Sequence, residues 1–293
     1  MQLPARLALC ILTLLASSVA SAALCVIDDA GRNVCLERPA QRIVSLAPHA
    51  TELLFAAGAA TRVIAVSDYS DYPLAARNLP SIGNVFAIDT ERLLAIQPDL
   101  VVIWGTGNAR QLAQQLRNKH IHVFESEPRD FETVASSIER LALLAGTEAL
   151  GRPAAAQFRQ RLAGLRERYR QPASTPPLTV LYQVWKQPLM TLNDEHLISA
   201  AIRLCGGKNP FGLLKETSPT ITTEAVLAAD PAMIVTGADN TDSLMQWRTL
   251  PVLQAVRKNH LVAIKADWLN RAGPRILDGT EALCKEIAQV RKP

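Results

Sequence analysis

A phrase that occurs twice in the chain decides its architecture: ERLLAIQPDLVV at residues 91–102 and EAVLAADPAMIV at residues 224–235. Each copy begins with a glutamate, continues with helix-forming residues and stops at a proline, which cannot continue a helix. Each then ends in an apolar run typical of a buried strand. Because the copies lie in different halves of the chain, we expect two structurally duplicated halves.

The sequence around both copies alternates short apolar runs with longer helical patterns. Strands are predicted at Arg42–Leu46, Val63–Val66, Leu100–Trp104, His122–Phe124, Thr179–Val184, Met233–Thr236 and Leu261–Ile264, and helices at Thr51–Ala57, Thr90–Ala95, Ala109–Lys119, Phe131–Ala145, His196–Cys205 and Thr223–Ala228. Strands separated by helices form parallel βαβ units. The predicted fold class is therefore α/β, with two parallel-sheet lobes.

One long helix is predicted between the halves, over Thr147–Arg170. Its apolar stripe consists of Leu150, Phe158, Leu162 and Leu165, and its arginines can face water. A cluster of prolines and small polar residues at 171–177 ends it. We therefore expect lobes at residues 23–146 and 174–293, joined by a single interdomain helix and linker at 147–173.

The first 22 residues are typical of a cleaved secretory leader. Arg6 is followed by an apolar run at Leu7–Ala16 and by small residues at 20–22. The run is shorter than the roughly 20 residues of a membrane span, so a retained anchor is the weaker interpretation. Removal of the leader takes one base and no acid from a chain with net charge +4, too weak a bias to indicate nucleic-acid binding. We expect an exported monomer in the periplasm.

Four cysteines follow the predicted leader, and export places them where disulfides persist. Cys25 and Cys35 flank a turn signal and can face each other across a hairpin. Cys205 and Cys284 both lie in the second half, on predicted helices. Buried free thiols are the alternative, and no CxxC redox spacing is present.

Three phrases of the first half are similar to those of a known class of proteins: RIVSLAPHATE at 42–52, SDYSDYP at 67–73 and PDLV at 98–101. They resemble the periplasmic binding proteins with a helical backbone, which serve ABC importers of cobalamin, haem and iron siderophores. The similarity extends from about Leu36 to Val290. It implies a protein that captures a small ligand between two lobes and passes it to a membrane permease.

Within this class, several features are similar to the members that bind cobalamin. These are the phrase YSDYP at 69–73, Trp104 with Gly105 and Asn108 after it, Asp267-Trp268 with Arg271 and Pro274-Arg275, and Cys205-Gly206-Gly207 with Cys284. The resemblance implies a disulfide between Cys205 and Cys284. It also implies ligand contacts from Tyr69, Trp104, Asp267 and Arg271. Aromatic faces suit a flat corrin ring, and the charged pair suits its amide rim.

The chain departs from that pattern at three positions where the cobalamin binders carry aromatic residues. Val85 stands at the first, with Phe86 next to it. Met190 stands at the second, with Trp185 nearby, and Ser218 stands at the third. We include Val85, Phe86, Trp185 and Met190 among the candidate ligand contacts, because the neighbouring aromatic residues can replace the missing ones.

Glu91 and Glu224 begin the two copies of the repeated phrase. The resemblance implies that each meets an arginine of the permease, one from each lobe, because matched charges can guide docking onto a two-fold transporter. The alternative is that each glutamate stabilises only the N-terminus of its own helix.

Two other functions compete with this interpretation. A haem or ferric siderophore binder would use Tyr69, Tyr72 or His49 as a ligand to iron. An enzyme is less consistent with the sequence. His49 has no His or Cys partner at metal-ligand spacing, and His120 and His122, which lie two apart and could share one face of a strand, are more typical of exposed or capping residues. No nucleophile elbow or Walker loop is present. Gly105–Asn108 is too short for a dinucleotide fingerprint. We therefore expect no catalytic residues, no resident metal and no cofactor, with the corrinoid as transported ligand.

Overall fold

The computed structural model describes residues 23–292, except 85–86, 107–108 and 238–241. Its first half contains β1 (Leu24–Ile27), β2 (Asn33–Leu36), β3 (Ile43–Ser45), α1 (Pro48–Ala56), β4 (Val63–Val66), β5 (Gly83–Asn84), β6 (Ala87–Ile88), α2 (Thr90–Ala95), β7 (Leu100–Trp104), α3 (Ala109–Asn118), β8 (His122–Ser126) and α4 (Phe131–Ala145). The long helix α5 (Glu148–Arg168) follows.

The second half repeats the alternation of strands and helices. It contains β9 (Leu178–Gln183), α6 (Leu197–Leu204), β10 (Gly207–Lys208), α7 (Thr223–Ala229), β11 (Met233–Gly237), α8 (Asp242–Arg248), α9 (Gln254–Arg257), β12 (Leu261–Ile264), α10 (Ala266–Leu269) and α11 (Ile276–Val290).

Each half forms one four-stranded parallel sheet with the same strand order. The first sheet runs β4-β3-β7-β8 and the second runs β10-β9-β11-β12. In both, the first strand along the chain lies between the second and the third. This agreement confirms the predicted α/β fold class with two parallel-sheet lobes, and the shared order supports the predicted duplication.

The repeated phrase takes the same structure in both lobes. Asp89 caps α2 by accepting a hydrogen bond from the backbone amide of Arg92, and Thr222 caps α7 through the amide of Ala225. Both helices end just before their proline and lead into a central strand, β7 or β11. Since α2 and α7 run antiparallel to those strands, their N-termini lie at the edge where the strands end.

The hydrophobic core is continuous from one lobe to the other through α5. Phe158, Leu162 and Leu165 of this helix belong to one cluster that includes buried residues of α4 and α11. The other face of each sheet carries its own smaller cluster. A core shared by both lobes resists their separation, because opening them would expose apolar surface.

Leu150 corrects the predicted apolar stripe of α5. It is exposed, whereas Gly151 and Ala155 face the core. A side chain cannot fit at residue 151, where a Cβ would lie 2.2 Å from the Cβ of Ala142 on α4. The close approach of α4 and α5 therefore rotates the buried face by one residue.

Ion pairs also tie α5 to both lobes. Arg159 contacts Glu132 and Glu139 of α4 at 2.5 and 2.7 Å. Two further arginines of α5, Arg161 and Arg168, pair with the α11 residue Glu281 at 3.5 and 3.0 Å. The arginines that were predicted to face water thus also hold the neighbouring helices.

Both disulfides are present. Cys25 and Cys35 lie opposite each other in the antiparallel hairpin β1–β2, with Cα atoms 4.1 Å apart. Cys205, which ends α6, pairs with Cys284 of α11 at 4.7 Å. The predicted pairing is confirmed, and the alternative of free thiols is wrong. Each bridge restricts the unfolded chain and so stabilises the fold.

Several elements were not predicted: the short strands β5, β6 and β10, and the helices α8, α9 and α10. Each has at most seven residues, too few for a periodic pattern to stand out. The leader lies outside the described residues, and the predicted limits of the two lobes and the linker stay predictions. None of the helices in the described part of the chain is long and apolar enough to cross a membrane.

Candidate functional site

A cavity of about 370 Å³ lies between the two lobes. Its wall on the first lobe includes Pro48, His49, Asp68, Tyr69, Trp104 and Glu127. Its wall on the second lobe includes His196, Leu197, Thr217, Leu269, Arg271 and Ala272. Ligands of α/β proteins bind at the carboxyl ends of parallel strands, and most of these residues follow such an end.

The strand order explains why the first lobe contributes its largest side chains here. The chain leaves β3 toward α1 and leaves β7 toward α3, so a crevice opens between the ends of these adjacent strands. Pro48 and His49 begin α1 on one side of this crevice, and Trp104 ends β7 on the other. The fold therefore places His49 and Trp104 together.

Aromatic groups form much of the wall on the first lobe. Tyr69 is largely exposed, and Trp104 is 41% exposed with its ring centroid 6.1 Å from that of His49. Tyr69 has a φ of 64°, a left-handed conformation that is uncommon for residues with bulky side chains. Such strain, of order 1 kcal/mol, is found most often where a side chain must be held for binding.

Arg271 is held at the cavity by three carboxylates. It contacts Asp71 at 2.6 Å and Asp267 at 2.8 Å, and Glu52 lies 3.4 Å away. Glu52 and Asp71 belong to the first lobe, so the arginine joins the lobes as well as facing the cavity. Partial burial acts to raise the pKa of Asp71, but the hydrogen bond and charge of Arg271 outweigh it and the pKa falls below its usual range.

Glu52 lies at the centre of this inter-lobe contact. Its side chain is 1% exposed and accepts two hydrogen bonds from Arg275, at 2.5 and 3.0 Å. Burial raises the pKa of Glu52, and the hydrogen bonds and charges of Arg275 and Arg271 oppose that rise. The guanidinium of Arg275 also stacks over the ring of Tyr72, 4.0 Å from its centroid. We call Glu52, Arg271 and Arg275 the buried network.

A second inter-lobe contact is exposed. Arg129 of the first lobe pairs with Glu195 of the second at 3.4 Å. His196, next to Glu195, begins α6 and accepts a hydrogen bond from the amide of Ile198 at Nδ1. Burial, together with the charge of Arg129, lowers the pKa of His196 to about 4.

Two other titratable groups of the first-lobe wall have shifted pKa values. Burial lowers the pKa of His49 to about 4, and a hydrogen bond to Ser126 acts in the other direction. Burial raises the pKa of Glu127, and the neighbouring donors of Trp104 and Thr106 oppose it. At neutral pH both cleft histidines are therefore uncharged, which makes them polar contacts rather than anion sites.

The structure brings together part of the predicted ligand set. Tyr69, Trp104 and Arg271 line the cavity, and Asp267 lies behind Arg271. Trp185 and Met190 pair with each other in a short bridge after β9, outside the cavity wall. Val85 and Phe86 lie outside the described residues, as does Asn108.

The sequence analysis assigned no role to Glu127 and His196 of the cavity wall or to Glu52 and Arg275 of the inter-lobe contact. Glu52 and Arg275 are 223 residues apart, so no local pattern relates them. The available signal was Arg275, which belongs to a segment similar to that of the cobalamin binders. Within the described residues, no cluster of three or more His, Cys, Asp or Glu side chains is arranged to hold a metal ion.

The candidate docking residues occupy matched positions. Glu91 and Glu224 are each the second residue of their helix, α2 or α7, and both are exposed. Hydrogen bonds from its own backbone amide and from Thr222 lower the pKa of Glu224, so this carboxylate is charged at neutral pH.

Comparison with known proteins agrees with this architecture. The model of the periplasmic binding protein family matches residues 43–268. The Vitamin B12-binding protein of Vibrio cholerae serotype O1 is 37% identical over 255 residues, which covers 87% of this chain and 91% of the relative.

Two solved structures extend the comparison. The periplasmic Vitamin B12 binding protein BtuF of Vibrio cholerae superposes with a TM-score of 0.80 at 37% identity, covering 87% of this chain and 99% of that chain. The periplasmic heme-binding protein RhuT from Roseiflexus sp. RS-1 has a TM-score of 0.74 at 23% identity, covering 86% and 99%. The second likeness shows a common fold alone, so the fold does not select the ligand. On the match over residues 43–268 and the shared two-lobe structure, the chain belongs to the periplasmic binding protein family.

Proposed function

We propose that this periplasmic binding protein captures cobalamin or a related corrinoid between its lobes, leaves it chemically unchanged and delivers it to the permease of an ABC importer. The observation that carries the proposal is the inter-lobe cavity with Tyr69 and Trp104 on its wall, in a chain 37% identical to a Vitamin B12-binding protein.

The wall chemistry suits a flat, uncharged ring with amides at its edge. Tyr69 and Trp104 offer broad apolar faces whose burial contributes to affinity, at about 25 cal/mol per Å² of apolar surface. Arg271, on the cavity wall, can donate a hydrogen bond to the carbonyl of such an amide, and Asp267, which pairs with it at 2.8 Å, holds its guanidinium in place.

The charges of the cavity favour such a ligand over haem. Among the described residues, its charged lining residues are Asp68, Glu127, Arg129 and Arg271. Both arginines are already paired, Arg129 with Glu195 and Arg271 with three carboxylates. A haem propionate or an anionic siderophore would have to compete with these acids for the arginines. An amide-edged corrin needs no such exchange, because amides bind without a counter-ion.

Calorimetry against cyanocobalamin, cobinamide, haem and a ferric siderophore tests the proposal. We expect a one-to-one complex with cyanocobalamin or cobinamide, and a corrin spectrum that stays with the protein through a desalting column. A shifted haem Soret band together with no corrinoid binding would overturn the proposal in favour of haem transport. Conversion of the ligand into a new compound would show an enzyme instead.

We propose further that Glu91 and Glu224 dock the loaded protein onto the permease. Their support is the matched position at the edges of the two lobes and their exposure. Replacing both (Glu91→Lys with Glu224→Lys) should leave cyanocobalamin affinity unchanged and abolish uptake by cells that carry the importer. Normal uptake would mean that the two carboxylates serve only their own helices.

A further inference from the structure

Two polar side chains of the cavity wall have no role in the proposal above. Glu127 follows β8 on the first lobe, and His196 begins α6 on the second. Arg129, two residues after Glu127, contacts Glu195, the neighbour of His196, at 3.4 Å. Both Glu127 and His196 line the cavity, one from each lobe, and the Arg129–Glu195 contact places their segments next to each other.

Glu127 supplies a hydrogen-bond acceptor. Its Oε2 is buried, lies 3.4 Å from where a Cβ on Gly105 would stand, and has no hydrogen-bond partner among the described residues. Burying an acceptor without a donor is unfavourable, so a ligand that supplies the donor gains binding free energy. The terminal side-chain torsion of glutamate (χ3) has a broad, roughly two-fold distribution of values, so rotation about this bond can turn either oxygen toward the cavity.

His196 supplies a donor. Its Nδ1 accepts the amide hydrogen of Ile198 at 3.1 Å, so the neutral ring carries its proton on Nε2. The ring is uncharged at neutral pH because burial lowers its pKa to about 4. The N–H group at Nε2 is thus what the ring can offer to a ligand in the cavity.

We propose that Glu127 and His196 form a subsite for one primary carboxamide of the ligand, an inference that rests on the proposed corrinoid function. The amide NH₂ donates to the Glu127 carboxylate, and the amide oxygen accepts from Nε2 of His196. A carboxylate in the same place would face the charge of Glu127 and would have no hydrogen to donate. The subsite therefore selects an amide over the corresponding acid.

The test compares cyanocobalamin with its monocarboxylic acids, in each of which one propionamide has been hydrolysed. Wild-type protein should bind at least one monoacid about tenfold more weakly than the parent, the scale of one unmet buried partner. In Glu127→Gln this ratio should fall close to one for the same monoacid, because a neutral glutamine can donate to a carboxylate. Glu37→Gln, an exposed position on the first lobe, is the matched control and should keep the wild-type ratio.

A second variant tests the donor while keeping the helix cap. In His196→Asn the side-chain oxygen can still cap α6, since asparagine is a favoured N-cap residue, but the shorter side chain no longer places a donor where Nε2 lies. Cyanocobalamin affinity should fall about tenfold with the melting temperature preserved. His120→Asn, an exposed histidine at φ 59° where asparagine is tolerated, is its control.

The outcomes separate the subsite from the function. The subsite alone would be overturned by three results together. The wild-type protein binds cyanocobalamin, Glu127→Gln has the same monoacid ratio as the wild type, and His196→Asn binds cyanocobalamin with undiminished affinity. Wild-type protein that does not bind any of these corrinoids would overturn the proposed function and the subsite with it.

Discussion

Two inter-lobe contacts, one buried and one exposed, join the halves of the molecule. In the buried network, the Glu52 side chain is 1% exposed and is held by Arg275 and Arg271. In the other contact, Arg129 and Glu195 are 55% and 64% exposed. A buried carboxylate cannot exchange its arginines for water without a large cost, whereas an exposed pair can. The difference indicates that the buried network contributes more to holding the lobes together than the Arg129–Glu195 pair does.

Removing one partner from each contact should show most clearly how the two contacts differ in their contribution to stability. Glu52→Ala takes from the largely buried Arg275 its close acidic partner and from Arg271 one of three, so the free energy of unfolding should fall by about 3–5 kcal/mol. Glu195→Ala should lower it by less than about 1 kcal/mol, because its pair is exposed to solvent. Urea denaturation of both variants measures the difference, and equal losses would show that burial does not distinguish the contacts.

Acid should lower the free energy of unfolding through His196, which lies next to the exposed contact. Its pKa in the folded protein is about 4, against 6.5 for an unperturbed histidine. Between these values the unfolded chain binds a proton that the folded one does not. The stabilising contribution is thus complete above pH 6.5 and is lost as the pH falls toward 4, by up to about 3 kcal/mol.

The pKa of His49 is also lowered, so His49 contributes to the same pH dependence. Comparing the wild-type protein with His196→Asn isolates the contribution of His196. The wild-type unfolding free energy should decline more steeply with acid than that of the variant. Parallel pH profiles for the two proteins would contradict the assignment.

Ligand binding should depend on the cavity wall rather than on exposed aromatic residues beside it. Trp104→Ala should weaken cyanocobalamin binding by about 1–3 kcal/mol, because it removes a packing face of the cavity. Trp185→Ala should cost less than about 0.5 kcal/mol, since Trp185 lies outside the wall. Calorimetry measures the affinity of both variants. Equal losses of affinity would show that Trp185 contacts the ligand after all.

The smallest expected effect concerns the shape of the protein in solution. The buried network and the core that continues through α5 should hold the lobes together, so ligand binding should change the radius of gyration very little. Small-angle scattering with and without cyanocobalamin measures this, and a large compaction would refute it. Glu52→Ala should show a larger change than the wild-type protein.

The fold was largely predictable because its signals are local. The strands at Val63–Val66, Leu100–Trp104 and Leu261–Ile264 and the helix at Phe131–Ala145 have the predicted limits. Apolar runs and capping residues within about 15 positions determine such elements. Leu150 was misassigned because which face of α5 is buried depends on the small residue Gly151 and its contact with α4.

The site was predictable only in part, since its contacts are distant in sequence. Tyr69, Trp104 and Arg271 came from the resemblance to a known class. No local pattern indicates that Arg271 meets Asp71, 200 residues earlier, or that Glu127 and His196 line the same cavity. These groups become neighbours only after two separately formed sheets pack against the same helix.

The hairpin β1–β2 has a consequence for how the chain folds after synthesis. Its Asp29 accepts a hydrogen bond from the amide of Glu127 and pairs with Arg140, 98 and 111 residues further along. A polypeptide is made from its amino end, so this hairpin is synthesised before either partner. It must therefore wait for the rest of its lobe before Asp29 can bind Arg140 and the amide of Glu127.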